Sequence, residues 1–379
     1  MATEAIVVGG GPAGLSAAIG LRRSGLAVRV LEQSARWQGR VCGGFINPEG
    51  VTHLAWLGVL DRLHAARAAP VGRSTLTLPD GRCGTVAIGR RGVVGLGVSR
   101  ETLEAVLLEA VAEAGCDVRL GARAVDVRRD GDRWQVALRS PGLRKETVEA
   151  DLIVLADGRF SRAARAVSGR PKRGWFGWNA TFVGVQQAPG ELSMHFYPRG
   201  YVGVLTFADG ETNVCGLAWL EEGQSRRWET VWAEATGSQP SLERLTRPAE
   251  RVSEWRGVGP LPFTRAMRRS DGPLLAGDAA AVGDPYMGEG ISRALGTGPI
   301  LHRALADSGS EQLNARVLGR AYSRAWRQRY TARLRLGALI RALQERPALF
   351  DAGLGLLLRR PGSLHALSRV FHPVTAARD

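Results

Sequence analysis

A glycine-rich turn near the start of the chain constrains its fold more than any other segment. Residues 9–14 read Gly-Gly-Gly-Pro-Ala-Gly, which matches G-x-G-x-x-G, and lie between an apolar run over 4–8 and a helical pattern over 13–24. The three glycines of such a turn allow a tight bend, close approach of a pyrophosphate, and packing of helix on strand. A second strand over 28–32 ends at Glu32, a carboxylate that can accept hydrogen bonds from a ribose. The segment therefore predicts a βαβ unit that binds a dinucleotide.

The composition is typical of a globular protein without a disulfide framework or a metal centre. The 379 residues are 44% hydrophobic and 23% charged, which suits a folded chain of one or two domains. Four cysteines and six histidines are scattered without metal-ligand spacing, so we expect no metal. There is no run of about 18 uncharged apolar residues, and the first residues are apolar rather than a basic leader. These features favour a cytoplasmic protein.

The net charge of +15 raises the question of what the basic residues contact. Residues 312–379 hold thirteen arginines but only three acidic residues. Apolar and aromatic residues recur there at every fourth position from Leu318 to Leu334, which predicts an amphipathic helix with one packed face. We interpret the arginines as a solvated face; the alternative is a weak contact with an anionic membrane surface or a protein. No recognition motif accompanies the charge, so nucleic acid is not expected as a partner.

The order of predicted elements indicates two interleaved domains followed by helices. Residues 100–114 have helical periodicity, and short strands follow as far as residue 155. From about 173 to 264 aromatic and β-branched residues alternate between turn signals, as in an antiparallel sheet. The prediction is an α/β fold with a Rossmann-type nucleotide-binding domain (1–70, 97–172 and 265–305), an inserted antiparallel-sheet substrate domain (71–96 and 173–264) and a C-terminal helical region (306–379).

Several further segments resemble flavin-binding motifs. They are Gly277-Asp278, Asp284-Pro285, Gly288-Glu289-Gly290-Ile291, Asp157-Gly158-x-x-Ser161, Cys42-Gly43-Gly44 and Gly97-x-x-Arg100. Together they are similar to motifs of the aromatic-hydroxylase (p-hydroxybenzoate hydroxylase-like) superfamily of flavoproteins, and most similar to its geranylgeranyl reductase branch. The resemblance runs from residue 4 to about residue 305. It implies that the dinucleotide is FAD and that the Rossmann-type domain is an FAD-binding domain.

The glycine turn and the resemblance together assign the residues expected to bind FAD. The Asp278 carboxylate is expected to accept hydrogen bonds from ribityl hydroxyls, and the turn at 288–290 to direct N–H groups at flavin N1 and O2. The expected cofactor-binding residues are Gly9, Gly11, Pro12, Ala13, Gly14, Glu32, Gln33, Arg40, Cys42, Gly43, Arg100, Val125, Asp157, Gly158, Gly277, Asp278, Gly288, Glu289, Gly290 and Ile291.

The chain departs from the patterns of related flavoproteins at three points. The superfamily usually has Arg three residues after Ser161, where this chain has Ala164, so contact with a nicotinamide cofactor is left open. Gly203 stands where prenyl reductases tend to have Trp over the substrate. The chain has two lysines, Lys145 and Lys172, and lacks the Trp-x-Trp-x-Ile-Pro segment of flavin halogenases, so halogenation is not expected.

Two residues are candidates for chemistry beyond the cofactor. The resemblance implies that Cys42 faces the flavin and relays a proton; the alternative is a small buried apolar residue. His195 falls on a strand of the second domain, where alternation would point it into the pocket. The expected pocket walls are Trp175, Phe176, Trp178, Phe196, Tyr197 and Phe207.

The sequence thus predicts an FAD-dependent oxidoreductase. NAD(P)H is the expected transient reductant, and the substrate a bulky hydrophobic small molecule, as the resemblance to geranylgeranyl reductases implies. One alternative is a monooxygenase that uses oxygen to hydroxylate an aromatic or polyketide-like substrate. Another is a flavin-bearing binding protein without turnover.

Overall fold

The computed structural model describes residues 3–36, 39–139, 146–159, 161, 173–222, 227–263, 272–308, 314–359, 362, 363, 366, 369 and 370. The strands are β1 (Glu4–Val8), β2 (Ala27–Glu32), β3 (Phe45–Ile46), β4 (Ala69–Val71), β5 (Arg73–Thr77), β6 (Cys83–Ala87), β7 (Gly95–Gly97), β8 (Asp117–Leu120), β9 (Arg123–Asp130), β10 (Arg133–Arg139), β11 (Glu146–Ala150), β12 (Leu152–Leu155), β13 (Gly174–Val183), β14 (Leu192–Tyr197), β15 (Gly200–Thr206), β16 (Thr212–Leu220), β17 (Glu250–Arg251), β18 (Arg256–Val258) and β19 (Leu274–Leu275).

The helices are α1 (Pro12–Arg23), α2 (Pro48–Leu57), α3 (Leu60–Ala65), α4 (Arg100–Glu113), α5 (Trp228–Ser238), α6 (Pro240–Thr246), α7 (Gly290–Leu295), α8 (Thr297–Asp307), α9 (Ala315–Gln344) and α10 (Pro347–Leu358). Short 3₁₀ turns cover Gly277–Ala279 and Pro285–Met287.

A five-stranded parallel sheet forms the half of the molecule that carries the glycine turn. Its order is β19–β12–β1–β2–β8, and its central strand β1 is buried from Ala5 to Val8. Such continuous burial is expected of a parallel strand covered on both faces. Helix α1 packs on this sheet and on α8, where a Cβ at Gly20 would lie only 2.4 Å from the Gly298 carbonyl oxygen. The predicted α/β fold with a Rossmann-type unit is therefore confirmed.

An eight-stranded sheet forms the second layer. Its order is β17–β13–β16–β15–β14–β5–β6, with β18 paired to β13. The pairings are antiparallel except for β14 with β5, which is parallel, so the expectation of an antiparallel sheet needs correction at this pair. Strands β5 and β6 precede α4, and the other six follow β12, so two distant segments share one sheet. Helices α5 and α6, which the alternating pattern did not predict, lie within the second segment.

The long helix α9 joins the two layers. Its predicted stripe is buried, with Leu318, Tyr322, Trp326 and Tyr330 at most 1% exposed. The helix has 30 residues and is about 45 Å long at 1.5 Å per residue. Near its end, Gln344 donates a 3.2 Å hydrogen bond to the Gly200 carbonyl of the large sheet. Among the described residues, no helix combines the length and apolar character needed to cross a bilayer.

Candidate active site

A continuous cavity of about 1590 Å³ runs from the carboxyl ends of β1 and β2 to the large sheet and the last two helices. Typical ligand pockets measure about 300–1,000 Å³, so this cavity has room for a large cofactor and a substrate together. Residues of the glycine turn and of 277–278 line one end. Apolar side chains of β14, β15, α9 and α10 line the other.

The glycine turn after β1 forms the first end of the cavity. Gly9 has a φ of +108°, which other residues rarely adopt, and a Cβ at Gly14 would lie 1.8 Å from the Gly9 carbonyl oxygen. Gly14 thus packs the helix on the strand and does not line the cavity. A Cβ at Gly11, by contrast, would meet no atom within 4 Å, because this residue faces the cavity. Pro12 and Ala13 line the cavity beside it, so the N–H groups and positive dipole end of α1 open into this space.

Glu32 lies beside the turn at the end of β2. One carboxylate oxygen accepts a 2.6 Å hydrogen bond from the Gly10 N–H, and the other a 2.9 Å bond from the Ser34 N–H. Arg40 lies 3.8 Å from the carboxylate and lines the cavity, as Gln33 does. A carboxylate oxygen can accept two hydrogen bonds, so Glu32 keeps acceptor capacity toward the cavity.

Asp278 lies against the same turn, although it is far away in sequence. Gly277 packs so closely on α1 that a Cβ there would lie 2.7 Å from the Cβ of Ala13. The Asp278 carboxylate is 3.6 Å from Arg159 and 3.5 Å from Arg293, and its side chain is 28% exposed. Asp157 and Gly158 line the cavity between β12 and this turn. The two carboxylates expected to hold opposite parts of one cofactor, Glu32 and Asp278, therefore share one cavity.

The residues around the turn before α7 face two ways, some toward the cavity and one toward the protein interior. Gly288, Gly290 and Ile291 line the cavity, whereas the Glu289 side chain points away from it toward α9. Its Oε1 is 2.8 Å from Arg333 but accepts no aligned hydrogen bond from the described residues, and burial raises the pKa of Glu289 to about 7. The expected cofactor contact of Glu289 is corrected: this side chain anchors the turn to α9.

Arg333 belongs to a buried ion cluster behind the turn. Glu49 of α2 accepts hydrogen bonds from Arg333 at 2.7 Å and from Arg329 at 2.5 Å. Burial alone would raise the pKa of Glu49, but the two arginines lower it below its usual value. Nearby, burial lowers the pKa of His53 to about 4, so this imidazole is neutral at pH 7. Sequence reasoning missed the cluster because its members are paired only by the fold.

Cys42, Gly43 and Arg100 line the middle of the cavity. The Cys42 thiol accepts a 3.4 Å hydrogen bond from the Gly44 N–H. Arg100 begins α4 and pairs with Glu104. Burial would lower the pKa of Arg100, but Cys42 and Glu104 raise it, which keeps the guanidinium charged. A thiol and a fixed cation thus lie together at the cavity surface.

Strand β14 divides its side chains between the cavity and the opposite face of the sheet. Leu192, Met194 and Phe196 line the cavity. His195 does not: its Nδ1 is 2.9 Å from Ser241 Oγ and its Nε2 is 3.0 Å from Ser193 Oγ. Burial lowers the pKa of His195 to about 4. This placement corrects the expected pocket position of His195, because alternation defines two faces but not which of them meets the cavity.

The expected aromatic wall is only partly present. Trp178 and Phe196 line the cavity, whereas Trp175, Phe176, Tyr197 and Phe207 do not. Trp175, for example, packs edge-on against Trp219 with 5.5 Å between ring centroids. Strand β13 is buried on both faces, so its aromatic residues could not be assigned to the cavity by alternation.

Val125 does not line the cavity; its neighbours Ala122, Arg123 and Ala124 do. Some positions discussed in the sequence analysis lie outside the described residues. They are Ala164, where the superfamily usually has Arg, its neighbours Arg162 and Arg165, and the two lysines Lys145 and Lys172.

Part of the cavity wall was not identified from the sequence. Asp284 is buried, 2.8 Å from Arg341 of α9 and 3.5 Å from the Tyr286 hydroxyl. Burial raises the pKa of Asp284, and Arg341 offsets this only in part. The Asp-Pro dipeptide of the flavin motif was a signal for Asp284. No pattern marked Leu343 or Phe350, which reach the cavity because the last helices fold back over the large sheet.

Comparison with known proteins extends these observations. The chain is 28% identical over 375 residues to digeranylgeranylglycerophospholipid reductase 2 of Methanothermobacter thermautotrophicus, which covers 95% of this chain and 91% of the relative. It is 26% identical over 329 residues to the FAD-dependent monooxygenase OpS4 of Beauveria bassiana, which covers 79% of this chain and 76% of the relative. The relatives thus include both a reductase and a monooxygenase.

The fold also matches solved structures. The myxobacterial chondrochloren halogenase CndH, an FAD-dependent halogenase, superimposes with a TM-score of 0.78 over 98% of this chain and 97% of that chain. The two sequences are 20% identical. This similarity shows a shared fold and carries no statement about halogenation.

A family model described as an FAD binding domain matches residues 2–332. The structure fits this cofactor, since Gly11 and Gly290 leave open space where a Cβ would lie, and Glu32 and Asp278 line one cavity. With the reductase relative, the match confirms the resemblance to the superfamily and its geranylgeranyl reductase branch. The chain belongs to the FAD-binding-domain family and is an FAD-dependent oxidoreductase.

Proposed function

We propose that this oxidoreductase uses NAD(P)H as its reductant and reduces a bulky hydrophobic substrate, as geranylgeranyl reductases do. The apolar half of the cavity carries the proposal. It is lined by side chains such as Leu76, Met194, Leu205 and Leu354, and is continuous with the cofactor end. An extended apolar molecule can lie in this half with one end beside the flavin.

The residues at the first end of the cavity suit FAD. In this proposal the start of α1 faces the pyrophosphate, Glu32 accepts hydrogen bonds from the adenosine ribose, and Asp278 accepts them from the ribityl chain. The other expected cofactor residues that line the cavity complete the site. Gly14 contributes by packing α1 on β1, and Glu289 by its ion pair with Arg333. When bound, FAD supplies hydride-transfer chemistry.

Saturation of a carbon–carbon double bond also needs a proton. We assign its transfer to Cys42, whose thiol lines the cavity beside Arg100. Cys215 lines the same cavity and provides a matched control, because burial and the nearby Cys42 raise its pKa to about 12. We expect Cys42→Ala to slow turnover by about 10²-fold with unchanged flavin content, and Cys215→Ala to change it much less. Equal losses in the two variants would argue against the assignment.

Anaerobic oxidation of the reduced protein tests the reaction itself. The flavin-loaded protein is reduced with one equivalent of NAD(P)H without oxygen and mixed with a digeranylgeranylglycerophospholipid. The reductase proposal expects the flavin absorption to return and one double bond of the lipid to gain a pair of hydrogens for each flavin that is reoxidised. If the flavin stays reduced with every prenyl lipid until oxygen is admitted, the proposal is wrong.

A monooxygenase is the second candidate. The relative OpS4 supports it, as does Gly203, which lines the cavity and leaves space where prenyl reductases tend to have Trp. This candidate expects oxygen consumption in stoichiometric proportion to a hydroxylated product. Absence of any flavin bleaching by NAD(P)H would contradict the reductant assumed by both candidates.

A further inference from the structure

The outward face of the last two helices is apolar. Its exposed residues are Leu339, Ala342 and Leu343 at the end of α9 and Ala348, Leu349, Ala352, Gly353 and Leu356 on α10, which together we call the corner patch. The four leucines are 39–58% exposed, and they are half of the eight large hydrophobic side chains exposed in the described residues. Single exposed apolar residues are common, but a contiguous group indicates a contact surface.

The corner patch is also the outer rim of the cavity. Leu339, Leu343 and Leu349 line the cavity and are exposed to solvent at the same time. Leu357 and Leu354 continue the wall inward along α10. An apolar molecule that leaves the cavity on this side therefore passes directly onto the patch.

Positive charge flanks the patch. Three exposed arginines precede, separate and follow its leucines, namely Arg335, Arg346 and Arg359. The acidic residues Glu345 and Asp351 also lie at this corner, and Asp80 and Arg82 lie beside Asp351. Helix α9 contains no Asp or Glu, and its exposed face further from the patch is also basic, with Arg316, Arg320, Arg324 and Arg327. An apolar face flanked by arginines is the arrangement that binds an anionic lipid surface.

We propose that the corner patch docks on an anionic membrane surface, with its leucines among the lipid chains and the arginines at the headgroups. The charge argues against a second copy as the occupant, because a symmetric dimer through this patch would bring the same arginines together. Docking is independent of the reaction. Passage of a lipid substrate from the bilayer across Leu339, Leu343 and Leu349 into the cavity rests on the proposed function.

Vesicle binding of the flavin-loaded full chain tests the docking. Vesicles of phosphatidylcholine alone are compared with vesicles that also contain phosphatidylglycerol, by co-sedimentation at low and high salt. Leu356→Glu changes an exposed patch residue that does not line the cavity, and Leu120→Glu makes the same change at a 42% exposed position on β8. Unchanged flavin content and circular dichroism show that both variants fold.

We expect the unmodified protein to bind the anionic vesicles, less so at high salt. Leu356→Glu should weaken this binding by at least about tenfold, and Leu120→Glu should leave it unchanged. Absence of vesicle binding, equal loss in both variants, or a dimer that Leu356→Glu dissociates would overturn the proposal. Retained turnover of a detergent-dispersed substrate by a variant that no longer binds vesicles would separate docking from the reaction.

Discussion

The two ends of the cavity are built in different ways. At the cofactor end the backbone forms the surface: Gly9 and Gly14 pack strand and helix together, Gly11 opens into the cavity, and Gly277 meets Ala13. At the far end side chains form the surface, contributed by β14, β15, α9 and α10. The first end depends on a few positions where a Cβ is excluded, and the second on many positions where one apolar residue can replace another.

This difference explains why one end identifies a family and the other does not identify a substrate. A pyrophosphate beside a helix start demands glycine at fixed spacing, so the pattern survives in the sequence. An apolar wall demands only volume and the absence of charge, which many residue types satisfy. Each end can be tested by a substitution that should affect it alone.

Gly11→Ala should have the largest effect and act on the cofactor end only. Gly11 has φ −78° and ψ 177°, which alanine adopts without strain, so the fold should be retained. The added methyl group would occupy the space where the pyrophosphate approaches. We expect FAD affinity to fall about 100-fold, equivalent to about 2.7 kcal/mol, as measured by titration of the apoprotein with FAD.

Gly14→Ala provides the contrast, because its Cβ would lie 1.8 Å from the Gly9 carbonyl oxygen. This variant should lose stability as well as flavin. Full flavin occupancy in Gly11→Ala would show that the glycine turn does not hold the cofactor.

Met194→Trp should act on the far end only. Met194 lines the apolar half of the cavity, and a larger ring there would fill space that a bulky substrate needs. We expect kcat/KM for long apolar substrates to fall about tenfold, or about 1.4 kcal/mol in transition-state stabilisation, with unchanged flavin content. Loss of flavin from this variant would mean that the two ends are not separate.

Most residues that line the first end of the cavity were named from the sequence, and few of those that line the far end were. The turn at 9–14, Glu32 and the Gly277-Asp278 pair were all identified, because each lies in a short segment with its own backbone requirement. Of the six aromatic wall residues, Trp178 and Phe196 line the cavity. The contribution of Leu343 and Phe350 depends on how α9 and α10 fold back, which no local pattern encodes.

Side-chain direction was the other source of error. Glu289 belongs to the flavin motif, but its carboxylate meets Arg333 on α9, and His195 lies on the face of β14 away from the cavity. Sequence spacing gives the position of such residues along an element. It does not give the partner that the fold supplies, which for Glu289 is an arginine of α9.

His195→Leu should have a moderate effect on stability rather than on catalysis. His195 bonds to Ser193 and Ser241 away from the cavity, and loss of these hydrogen bonds should lower the free energy of unfolding by about 1 kcal/mol. The pH dependence of turnover between pH 5 and 8 should be the same as in the unmodified protein. A missing limb in the pH–rate profile of the variant would instead give His195 a catalytic role.

Glu289→Gln should have an effect on stability of about the same size, and it tests how α9 is held behind the cofactor end. Burial raises the pKa of Glu289 from its usual 4.5 to about 7, so the folded state binds more protons than the unfolded state between these values. The free energy of unfolding therefore falls as pH rises through this window. Glutamine does not titrate. As pH rises from 4.5 to 7, the free energy of unfolding of the variant should therefore fall less than that of the unmodified protein.

The free energy of unfolding of both proteins is measured with urea at several pH values. The readout is how the difference between the two free energies changes with pH. His53 nearby has a pKa lowered to about 4, which makes stability rise with pH between about 4 and 6.5, but this contribution is common to both proteins and cancels. We expect this difference to change by about 1 kcal/mol between pH 4.5 and 7. The loss of the ion pair with Arg333 adds a contribution that does not depend on pH in this window. A pH-independent difference would mean that Glu289 is ionised throughout, and that its ion pair with Arg333 outweighs its burial.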